Sequence, residues 1–278
     1  MKQERITTAT IKQKKTAGTP ITMLTAYDFP MAKIVDEAGI DMILVGDSLG
    51  NVMLGYDSTI PVTMDEMVHH VKAVGRAVRR AMVIADMPFL SYQISVEAAM
   101  ENAGRFLKEA GAQAIKLEGG AEVVNVVSRM AAAGIPVVGH LGLTPQSLYQ
   151  FGGFKVQGKD VTAAKKIIAD AKALEEAGAF AIVLECVPAP LAKMVTDAVN
   201  LATIGIGAGP HCDGQVLVIH DILGLYAGFT PKFVKRFADL HEQVAGAVKQ
   251  YKEEVEKRVF PATEHCFAMS DELLEKLY

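Results

Sequence analysis

The sequence predicts an α/β fold, a single (β/α)8 TIM-type barrel, and three observations support this prediction. Short β-branched runs alternate with longer stretches of helical periodicity, a pattern typical of parallel βα units. The length of 278 residues is close to the roughly 250 residues of an ordinary barrel. No linker or low-complexity segment divides the chain. We therefore predict one domain over residues 1–278, with a short N-terminal extension and a C-terminal helical segment.

The individual elements follow from these patterns in order. A strand is indicated by a short apolar run bounded by Gly, Pro or Asp, and a helix by a longer amphipathic stretch. The predicted strands are 21–28, 42–48, 81–87, 114–119, 136–142, 180–187, 202–208 and 216–222. The predicted helices are 29–39, 63–79, 95–110, 121–133, 162–177, 188–200 and 231–257.

Capping signals mark the ends of several predicted helices. Thr63 and Glu66 fit an N-terminal capping box, and Thr144-Pro145 and Thr230-Pro231 would each place proline at a first helical position. Elsewhere a helix closes with Ala-Gly before the next strand, which predicts glycine caps in the left-handed conformation. These glycines are Gly39, Gly111, Gly134 and Gly178.

Two segments depart from a regular pattern. The segment 209–215, GPHCDGQ, is too short for a full seventh helix, and GIGAG at 205–209 lacks the spacing of a dinucleotide loop. We interpret the latter glycines as sites of close backbone packing. A doubly wound open sheet is the alternative fold, but it would need a Gly-rich turn after the first strand. Ala26-Tyr27-Asp28 occupies that position, so the sequence favours the barrel.

Composition argues against several classes of function. Hydrophobic residues make up 50% and charged residues 22% of the chain, and the net charge is −4. Without a basic excess, neither nucleic acid nor an anionic membrane surface is an expected partner. The three cysteines lack paired spacing, and neither a signal peptide nor a transmembrane run is recognisable. These observations predict a cytoplasmic protein that binds small molecules.

Three predicted strands end on a carboxylate. Asp47 follows ILVG, Asp86 follows MVIA and Glu118 follows AIKL. Because the carboxyl ends of neighbouring strands meet at the mouth of a barrel, these oxygens would converge in one pocket. Hard divalent cations such as Mg²⁺ require oxygen ligands of this kind. We predict a magnesium site, although any one of these acids could instead cap the next helix.

Side-chain alternation along the strands predicts further polar groups in the barrel lumen. Lys116 and Glu118 share one face of their strand, and apolar neighbours occupy the other face. The same alternation predicts inward-facing positions in three other strands. They are Ile43, Val45 and Asp47 in the second strand, Val138 and His140 in the fifth, and Ala181, Val183 and Glu185 in the sixth.

Each of these polar residues also has a purely structural interpretation. Lys116 and Glu118 could form an ion pair, although a buried pair contributes little net stability. His140 could be a ligand or a hydrogen-bonded core histidine. Glu185 could be an acid at a helix start that interacts with the helix dipole.

With these residues in place, the chain resembles the ketopantoate hydroxymethyltransferase family, also called 3-methyl-2-oxobutanoate hydroxymethyltransferases. The resemblance runs from about residue 21 to 267, and the blocks GHLGLTPQS and FGGFKVQG are highly specific. Departures occur around 200–203 and 210–212 and in the tail SDELLEKLY. The other matching blocks are LVGDSLGNVMLGYDSTIPVT, ADMPF, KLEGG, LECVP, GIGAG and DGQVLVIHD.

The resemblance implies a magnesium-dependent barrel enzyme of pantothenate biosynthesis. Such an enzyme adds a hydroxymethyl group from 5,10-methylenetetrahydrofolate to the 2-oxoacid 3-methyl-2-oxobutanoate (2-oxoisovalerate) through a magnesium-stabilised enolate. The resemblance assigns Asp47, Asp86 and Glu118 to the metal, with Glu118 bound directly or through water. It assigns Glu185 to proton abstraction. Because the family forms decamers, a homo-oligomer is also implied. The predicted substrate-binding residues are Asp47, Ser48, Asp86, Lys116 and His140.

Three rival functions stay open at this point. A magnesium-dependent 2-oxoacid lyase would use a similar acid cluster and a metal enolate, but it would break a C–C bond. A Schiff-base aldolase would use Lys116 as a nucleophile. A non-catalytic barrel is the third, because a fold alone does not define a function. Buried charges are costly to retain without use, however.

Overall fold

Parallel strands close into a barrel in the order of the sequence. The computed structural model describes residues 4–153, 155–226 and 230–277, and in this part of the chain the eighth strand pairs with the first. Helices surround the strands, so the predicted (β/α)8 fold is confirmed. The strands are β1 (Ile21–Thr25), β2 (Met42–Val45), β3 (Met82–Asp86), β4 (Ala114–Lys116), β5 (Val137–Gly142), β6 (Ala181–Glu185), β7 (Ala202–Ile206) and β8 (Gly214–Leu217).

The helices range from a single turn to several turns. In chain order they are α1 (Thr8–Thr16), α2 (Phe29–Glu37), α3 (Leu49–Val52), α4 (Met64–Ala77), α5 (Val96–Lys108), α6 (Val124–Ala132), α7 (Leu148–Phe151), α8 (Val161–Glu176), α9 (Ala189–Ala198), α10 (Ile219–Ile222), α11 (Leu240–Glu256) and α12 (Asp271–Leu274). α1 precedes the first strand, and α10 to α12 follow the last one. Short 3-10 helices lie at Ala121–Val123, Pro145–Ser147, Thr263–His265 and Glu275–Leu277.

Each predicted strand overlaps an observed strand, but most of the observed strands stop earlier at the barrel mouth. β2 ends at Val45 rather than at 48, and β4 ends at Lys116 rather than at 119. The eighth prediction, 216–222, is wrong at both ends, since β8 starts at Gly214 and α10 follows it. The residues beyond the strand tips are therefore loop residues, and loops in this position carry the sites of barrel enzymes.

Two layers of buried side chains flank the strands. Met42 and Leu44 of β2 belong to the apolar lumen, whereas Ile43 and Val45 pack in the layer between strands and helices. The inward orientation predicted for the latter two is therefore wrong. Asp47 lies beyond the end of β2, where the alternation of the strand no longer applies. The inward positions of Val138, Ala181 and Val183 are confirmed.

Most of the predicted capping signals are present. The Thr63 hydroxyl accepts a hydrogen bond from the Glu66 backbone, and the Glu66 carboxylate accepts one from the Thr63 backbone. Pro145 begins a 3-10 helix, as the Thr144-Pro145 signal predicts. The predicted helix-ending glycines adopt positive φ angles of 84°, 78°, 81° and 98°, as left-handed caps require. They are Gly39, Gly111, Gly134 and Gly178.

The last long helix is shorter than the predicted 231–257. α11 begins at Leu240, so Pro231 does not start a helix. The segment between them bonds to the end of α10 instead: Phe237 N donates to Ile222 O at 2.7 Å and Leu240 N donates to Leu223 O at 2.9 Å. These bonds hold the segment in turns and take up donors that a helix would use.

α11 presents an apolar stripe to solvent. None of its residues is buried, and Val244, Val248, Tyr251 and Val255 recur at helical spacing among its exposed side chains. An exposed stripe of this kind is typical of an interaction surface. No helix in the described ranges is long and apolar enough to cross a membrane.

The N-terminal extension covers the end of the barrel opposite the mouth. Ile6 and Ile11 join the apolar residues of the lumen, and Lys15 of α1 pairs with Asp213 at 2.9 Å. α1 is not among the predicted helices, because it buries only Ile11 and so lacks an amphipathic pattern.

Candidate active site at the barrel mouth

A cavity of about 590 Å³ lies at the carboxyl ends of the strands. This volume is within the usual range of small-molecule sites. Polar residues at the strand tips or just beyond them form its floor, and apolar side chains make up much of the remaining wall. The whole predicted site lines this one cavity: Asp47, Ser48, Asp86, Lys116, Glu118, His140 and Glu185.

Asp86 and Lys116 form a buried ion pair on neighbouring strands. The two residues are register partners in β3 and β4, and Lys116 Nζ donates to both Asp86 carboxylate oxygens at 2.7 Å. Burial lowers the pKa of Lys116, but the charges of Asp86, Glu118 and Asp47 outweigh burial and raise that pKa above its ordinary value. Lys116 is therefore a fixed ammonium, and it pairs with Asp86 rather than with Glu118, which lies past the end of β4.

Gln146 holds the acids in place and is a site residue that sequence reasoning missed. Its side-chain NH₂ group donates to Asp47 Oδ2 and to Met87 O, both at 2.9 Å. Its side-chain oxygen accepts from the Tyr92 hydroxyl at 2.8 Å, and its backbone N–H donates to Glu118 Oε2 at 3.0 Å. The buried amide thus fixes two of the predicted metal ligands at once.

The signal for Gln146 is present in the sequence but is not a charge. It follows Thr144-Pro145 in the block GHLGLTPQS, where proline begins the 3-10 helix and Gln146 is the buried second residue. Because the glutamine amide carries no charge, the pattern of ionisable residues does not indicate it.

Asp47 lies close to the negative charges of two other acids, Asp86 and Glu118. Burial raises its pKa well above the ordinary value, and repulsion from Asp86 and Glu118 raises it further, against the opposing effects of Lys116 and the Gln146 hydrogen bond. A divalent cation would relieve this repulsion, and carboxylates are the donors that Mg²⁺ prefers. The residues therefore fit magnesium by charge and by donor type.

The acids are not preassembled as a chelating group. Asp86 directs both oxygens to Lys116. In the part of the chain that the structure describes, no group of three His, Cys, Asp or Glu side chains could hold a metal ion. Metal binding would therefore require the carboxylates to draw together.

His140 lies between two carboxylates. Its Nδ1 is 3.2 Å from Glu118 Oε1 and its Nε2 is 3.2 Å from Glu185 Oε2. Neither contact is a well-aligned hydrogen bond, because both ring nitrogens lack such a partner among the described residues. Burial and Lys116 lower the pKa of His140, but Glu118 and Glu185 outweigh them and raise it to about 9. At neutral pH the ring is an imidazolium, which has no lone pair for a metal and holds the two acids by charge.

Ser48 lies against a buried tyrosine. Its hydroxyl is 2.8 Å from the Tyr27 hydroxyl. Burial raises the pKa of Tyr27 well above its ordinary value, against hydrogen bonds to Ser48 and Thr25 that lower it. Tyr27 is therefore a neutral hydroxyl group that orients Ser48 at the cavity wall.

Glu185 is the most accessible acid of the floor. Its side chain is 16% exposed, whereas that of Asp86 is 2% exposed. The next residue, Cys186, has a φ of 47°, a left-handed conformation that is uncommon for a residue with a side chain. Such backbone strain is often found at functional sites. Burial and the neighbouring Glu185 raise the pKa of the Cys186 thiol to about 11, so the thiol is neutral.

The glycines of GIGAG make close contacts, as predicted. A Cβ on Gly207 would lie 2.8 Å from the ring of Phe233, and one on Gly205 would lie 3.1 Å from Cys212 Sγ. A Cβ on Gly207 would force the Phe233 ring to move, and one on Gly205 would be in unusually tight contact. The interpretation of close packing is therefore confirmed.

The chain is similar in sequence to a family model and to proteins that share one name. Residues 5–263 match a family model described as ketopantoate hydroxymethyltransferase. A protein of Syntrophomonas wolfei subsp. wolfei is 61% identical over 274 residues, which cover 99% of each chain. A protein of Carboxydothermus hydrogenoformans is 58% identical over 275 residues, which cover 99% of this chain and 100% of the relative. Both relatives are named 3-methyl-2-oxobutanoate hydroxymethyltransferase.

Solved structures with the same fold are much more distant in sequence. A phosphoenolpyruvate phosphomutase from Streptomyces platensis subsp. rosaceus superimposes with a TM-score of 0.62 at 14% identity, over 97% of this chain and 93% of the other. A phosphonopyruvate hydrolase superimposes with a TM-score of 0.60 at 15% identity, over 93% of this chain and 92% of the other. These similarities support the barrel fold.

Proposed function

Because this chain belongs to the ketopantoate hydroxymethyltransferase family, we propose that it hydroxymethylates 3-methyl-2-oxobutanoate with 5,10-methylenetetrahydrofolate as donor. The product is 2-dehydropantoate (ketopantoate), and the reaction belongs to pantothenate biosynthesis. The observation that carries this proposal is the buried set of acids, lysine and histidine at the floor of one barrel-mouth cavity. These groups suit a substrate that has a carboxylate, a keto oxygen and an acidified C–H bond.

The floor provides both charge types that such a substrate needs. Lys116 remains an ammonium and would bind the substrate carboxylate or the developing enolate oxygen. Ser48, held by Tyr27 at 2.8 Å, can donate a hydrogen bond to the same anion. Asp47, Asp86 and Glu118 would hold magnesium, with Gln146 fixing the orientation of Asp47. When bound, magnesium supplies a Lewis acid at the keto oxygen and makes the C3 proton more acidic.

Glu185 is the residue that would remove the C3 proton. It is the floor acid most open to the cavity, and His140 holds it at 3.2 Å. A carboxylate in this role must come within about 3 Å of the proton that it takes, or reach it through one water. The resulting enolate carbon forms a C–C bond with the one-carbon unit of the donor, and the bonds from that carbon to the folate nitrogens break. Water supplies the hydroxyl oxygen of the product, and tetrahydrofolate leaves after its nitrogens take up the C3 proton and one proton of the water. The transferred carbon is already at the oxidation level of formaldehyde. No redox partner is required.

The same residues argue against a Schiff-base aldolase. A lysine forms an imine only when its amine is neutral, and the acids around Lys116 stabilise its charge. We also propose that small molecules, rather than nucleic acid or membrane, are its partners, and that the chain works in the cytoplasm as a homo-oligomer. The exposed apolar stripe of α11 supports self-association.

Substitution of Lys116 tests its charge role. Lys116→Arg keeps a cation that can bind the Asp86 carboxylate with two hydrogen bonds, so we expect it to retain part of the activity. Lys116→Met should lose about 10²-fold or more in kcat, because a donor at a developing anion is worth that much. Borohydride reduction in the presence of substrate should leave the Lys116 peptide unmodified by mass spectrometry. A reduced substrate adduct on that peptide would establish the aldolase instead.

Substitution of Gln146 tests the support of the metal acids. We expect Gln146→Leu to weaken Mn²⁺ binding, measured by electron paramagnetic resonance, by about 10- to 100-fold, the usual effect of losing a group that orients a ligand. Gln93→Leu is the matched control: Gln93 Nε2 donates to the same Gln146 oxygen at 3.4 Å, whereas the side-chain hydrogen bond to Asp47 among the described residues comes from Gln146. Equal Mn²⁺ affinity in the Gln146 variant and the wild type would contradict this role.

A product assay tests the proposed function itself. The protein, magnesium, 3-methyl-2-oxobutanoate and 5,10-methylenetetrahydrofolate are incubated, and ketopantoate is measured by mass spectrometry. We expect product only when all of these components are present, and none after chelation by EDTA. Cleavage of a 2-oxoacid C–C bond without ketopantoate formation would favour the lyase.

A further inference from the structure

In the described part of the chain, one acid that lines the cavity makes no hydrogen bond or ion pair with the polar residues of the cavity floor. Asp221 lies on α10, directly after β8, and lines the same cavity as Glu185. Among the described residues, its carboxylate makes no hydrogen bond and no ion pair within 4.0 Å. The other cavity acids are engaged with Lys116, Gln146 or His140. The Asp221 carboxylate is therefore available to a ligand.

The position of Asp221 is fixed by the backbone. Ile219 N, at the start of α10, donates to Thr25 Oγ1 of β1 at 2.9 Å, and Asp221 N donates to Val218 O at 3.1 Å. Burial raises the pKa of Asp221, while the charge of Arg236 lowers it. A half-buried carboxylate without hydrogen bonds carries a desolvation cost, which a ligand with N–H donors would offset.

The cavity has space and surface for a second, largely flat ligand. Its volume of about 590 Å³ is well beyond what a five-carbon 2-oxoacid fills. Apolar side chains form much of the wall away from the floor, and Phe233 contributes an aromatic ring that packs over the backbone of Gly207. Two exposed cations, Lys155 and Lys232, also line the cavity. The apolar wall residues include Leu143, Leu148, Val156, Ile206 and Phe233.

We propose that Asp221 binds the pterin ring of the folate donor, with its two carboxylate oxygens accepting from N3–H and from the 2-amino group. These adjacent donors match a carboxylate in a bidentate arrangement, and hydrogen bonds to an ionised acceptor are strong. The ring itself lies against the apolar wall, and Lys155 and Lys232 bind the glutamate carboxylates of the folate tail. β8 is separated from β6 only by β7, so the reactive carbon between the ring and the tail can reach the substrate above Glu185.

This inference rests on the proposed function and is tested with the whole protein by binding of pterins. Two probes are compared. The first is 6,7-dimethyltetrahydropterin, which lacks the folate tail, and the second is its 2-desamino analogue, which also lacks the 2-amino hydrogen-bond donor. We expect the wild type to bind the 2-desamino analogue at least 10-fold more weakly than the parent pterin, because a buried acceptor then loses its partner. In Asp221→Asn the parent pterin should bind at least 10-fold more weakly, and the discrimination between the two pterins should largely disappear.

Two further measurements separate this inference from the proposed function. Exchange of the C3 proton of 3-methyl-2-oxobutanoate in deuterated water, without folate, measures proton abstraction by the residues of the cavity floor alone. Its absence in the wild type would contradict the proposed function, whatever the pterins do. Asp271→Asn makes the same change of charge at an exposed position outside the cavity, and it should bind both pterins as the wild type does.

Two results would overturn the assignment of Asp221. One is unchanged pterin affinity and unchanged discrimination in Asp221→Asn. The other is loss of C3 exchange in Asp221→Asn to the same extent as pterin binding, which would make Asp221 a part of the floor instead.

Discussion

Asp47→Asn is expected to lose ketopantoate formation by roughly 10²- to 10³-fold, because Lewis-acid stabilisation is worth several kcal/mol and each 1.4 kcal/mol is about tenfold in rate. Asparagine keeps the shape of Asp47, and its side-chain oxygen can still accept the hydrogen bond from Gln146. The variant therefore removes the charge while leaving the surrounding contacts in place. Isothermal calorimetry with Mg²⁺ should show a correspondingly weaker Kd.

The same substitution should lower activity but not the thermal stability of the metal-free protein. Because the pKa of Asp47 is raised in the folded protein, the unfolded chain releases this proton more readily, and the folded state loses stability as pH rises above the ordinary carboxyl pKa of about 4. Without added metal, Asp47→Asn should melt at the same temperature as the wild type or higher at pH 7. At the same concentration, added Mg²⁺ should raise the melting temperature of the wild type more than that of Asp47→Asn.

Either of two outcomes would contradict this account of Asp47. One is full activity in Asp47→Asn. The other is equal stabilisation of the variant and the wild type by Mg²⁺. Asp86 is a less clean test, because Asp86→Ala would leave the buried Lys116 ammonium without its partner, and breaking a buried pair costs about 3–5 kcal/mol of stability.

Glu185→Gln is expected to slow exchange of the substrate C3 proton by roughly 10²-fold or more, the usual contribution of a positioned base. Glutamine keeps the size of the side chain but cannot accept the proton. Exchange is measured by NMR in deuterated water with 3-methyl-2-oxobutanoate and magnesium, without folate. Glu176→Gln, on the exposed surface of α8, is the matched control and should exchange at the wild-type rate.

Unchanged exchange in Glu185→Gln would assign the base to another group. His140 is the next candidate by position, but its pKa of about 9 leaves the ring protonated at neutral pH. If His140 were the base, exchange should rise steeply as pH approaches 9. With Glu185 as the base, no such rise is expected from His140.

The sequence predicted the site better than it predicted the surrounding contacts. The acids are easy to recognise, because Asp47, Asp86 and Glu118 each follow a largely apolar run. The strand ends are less clear, since β2 already ends at Val45 and β4 at Lys116. Alternation also placed Lys116 and Glu185 correctly in one cavity. For β2 the alternation failed, because this strand stops at Val45 and the following turn, not the pleat, determines the position of Asp47.

Contacts between distant loops could not be predicted in this way. Gln146 and Tyr92 meet through a hydrogen bond of 2.8 Å, although neither belongs to a strand. Asp221 follows a strand that the sequence placed too late in the chain, so it read as part of that strand rather than as a group at the mouth. The solvent exposure of the apolar side chains of α11 could not be predicted from the sequence, because an amphipathic pattern is equally typical of a helix that packs on its own barrel.

The most direct test of this account is the exchange of the C3 proton of 3-methyl-2-oxobutanoate by the wild-type protein, followed by proton NMR in deuterated water without any folate. If the floor of the cavity makes the enolate, the C3 signal should disappear in a sample that contains magnesium. In a second sample, treated with EDTA before the substrate is added, the signal should persist until excess magnesium is supplied. Persistence of the C3 signal with magnesium present, or exchange that EDTA does not affect, would contradict the account.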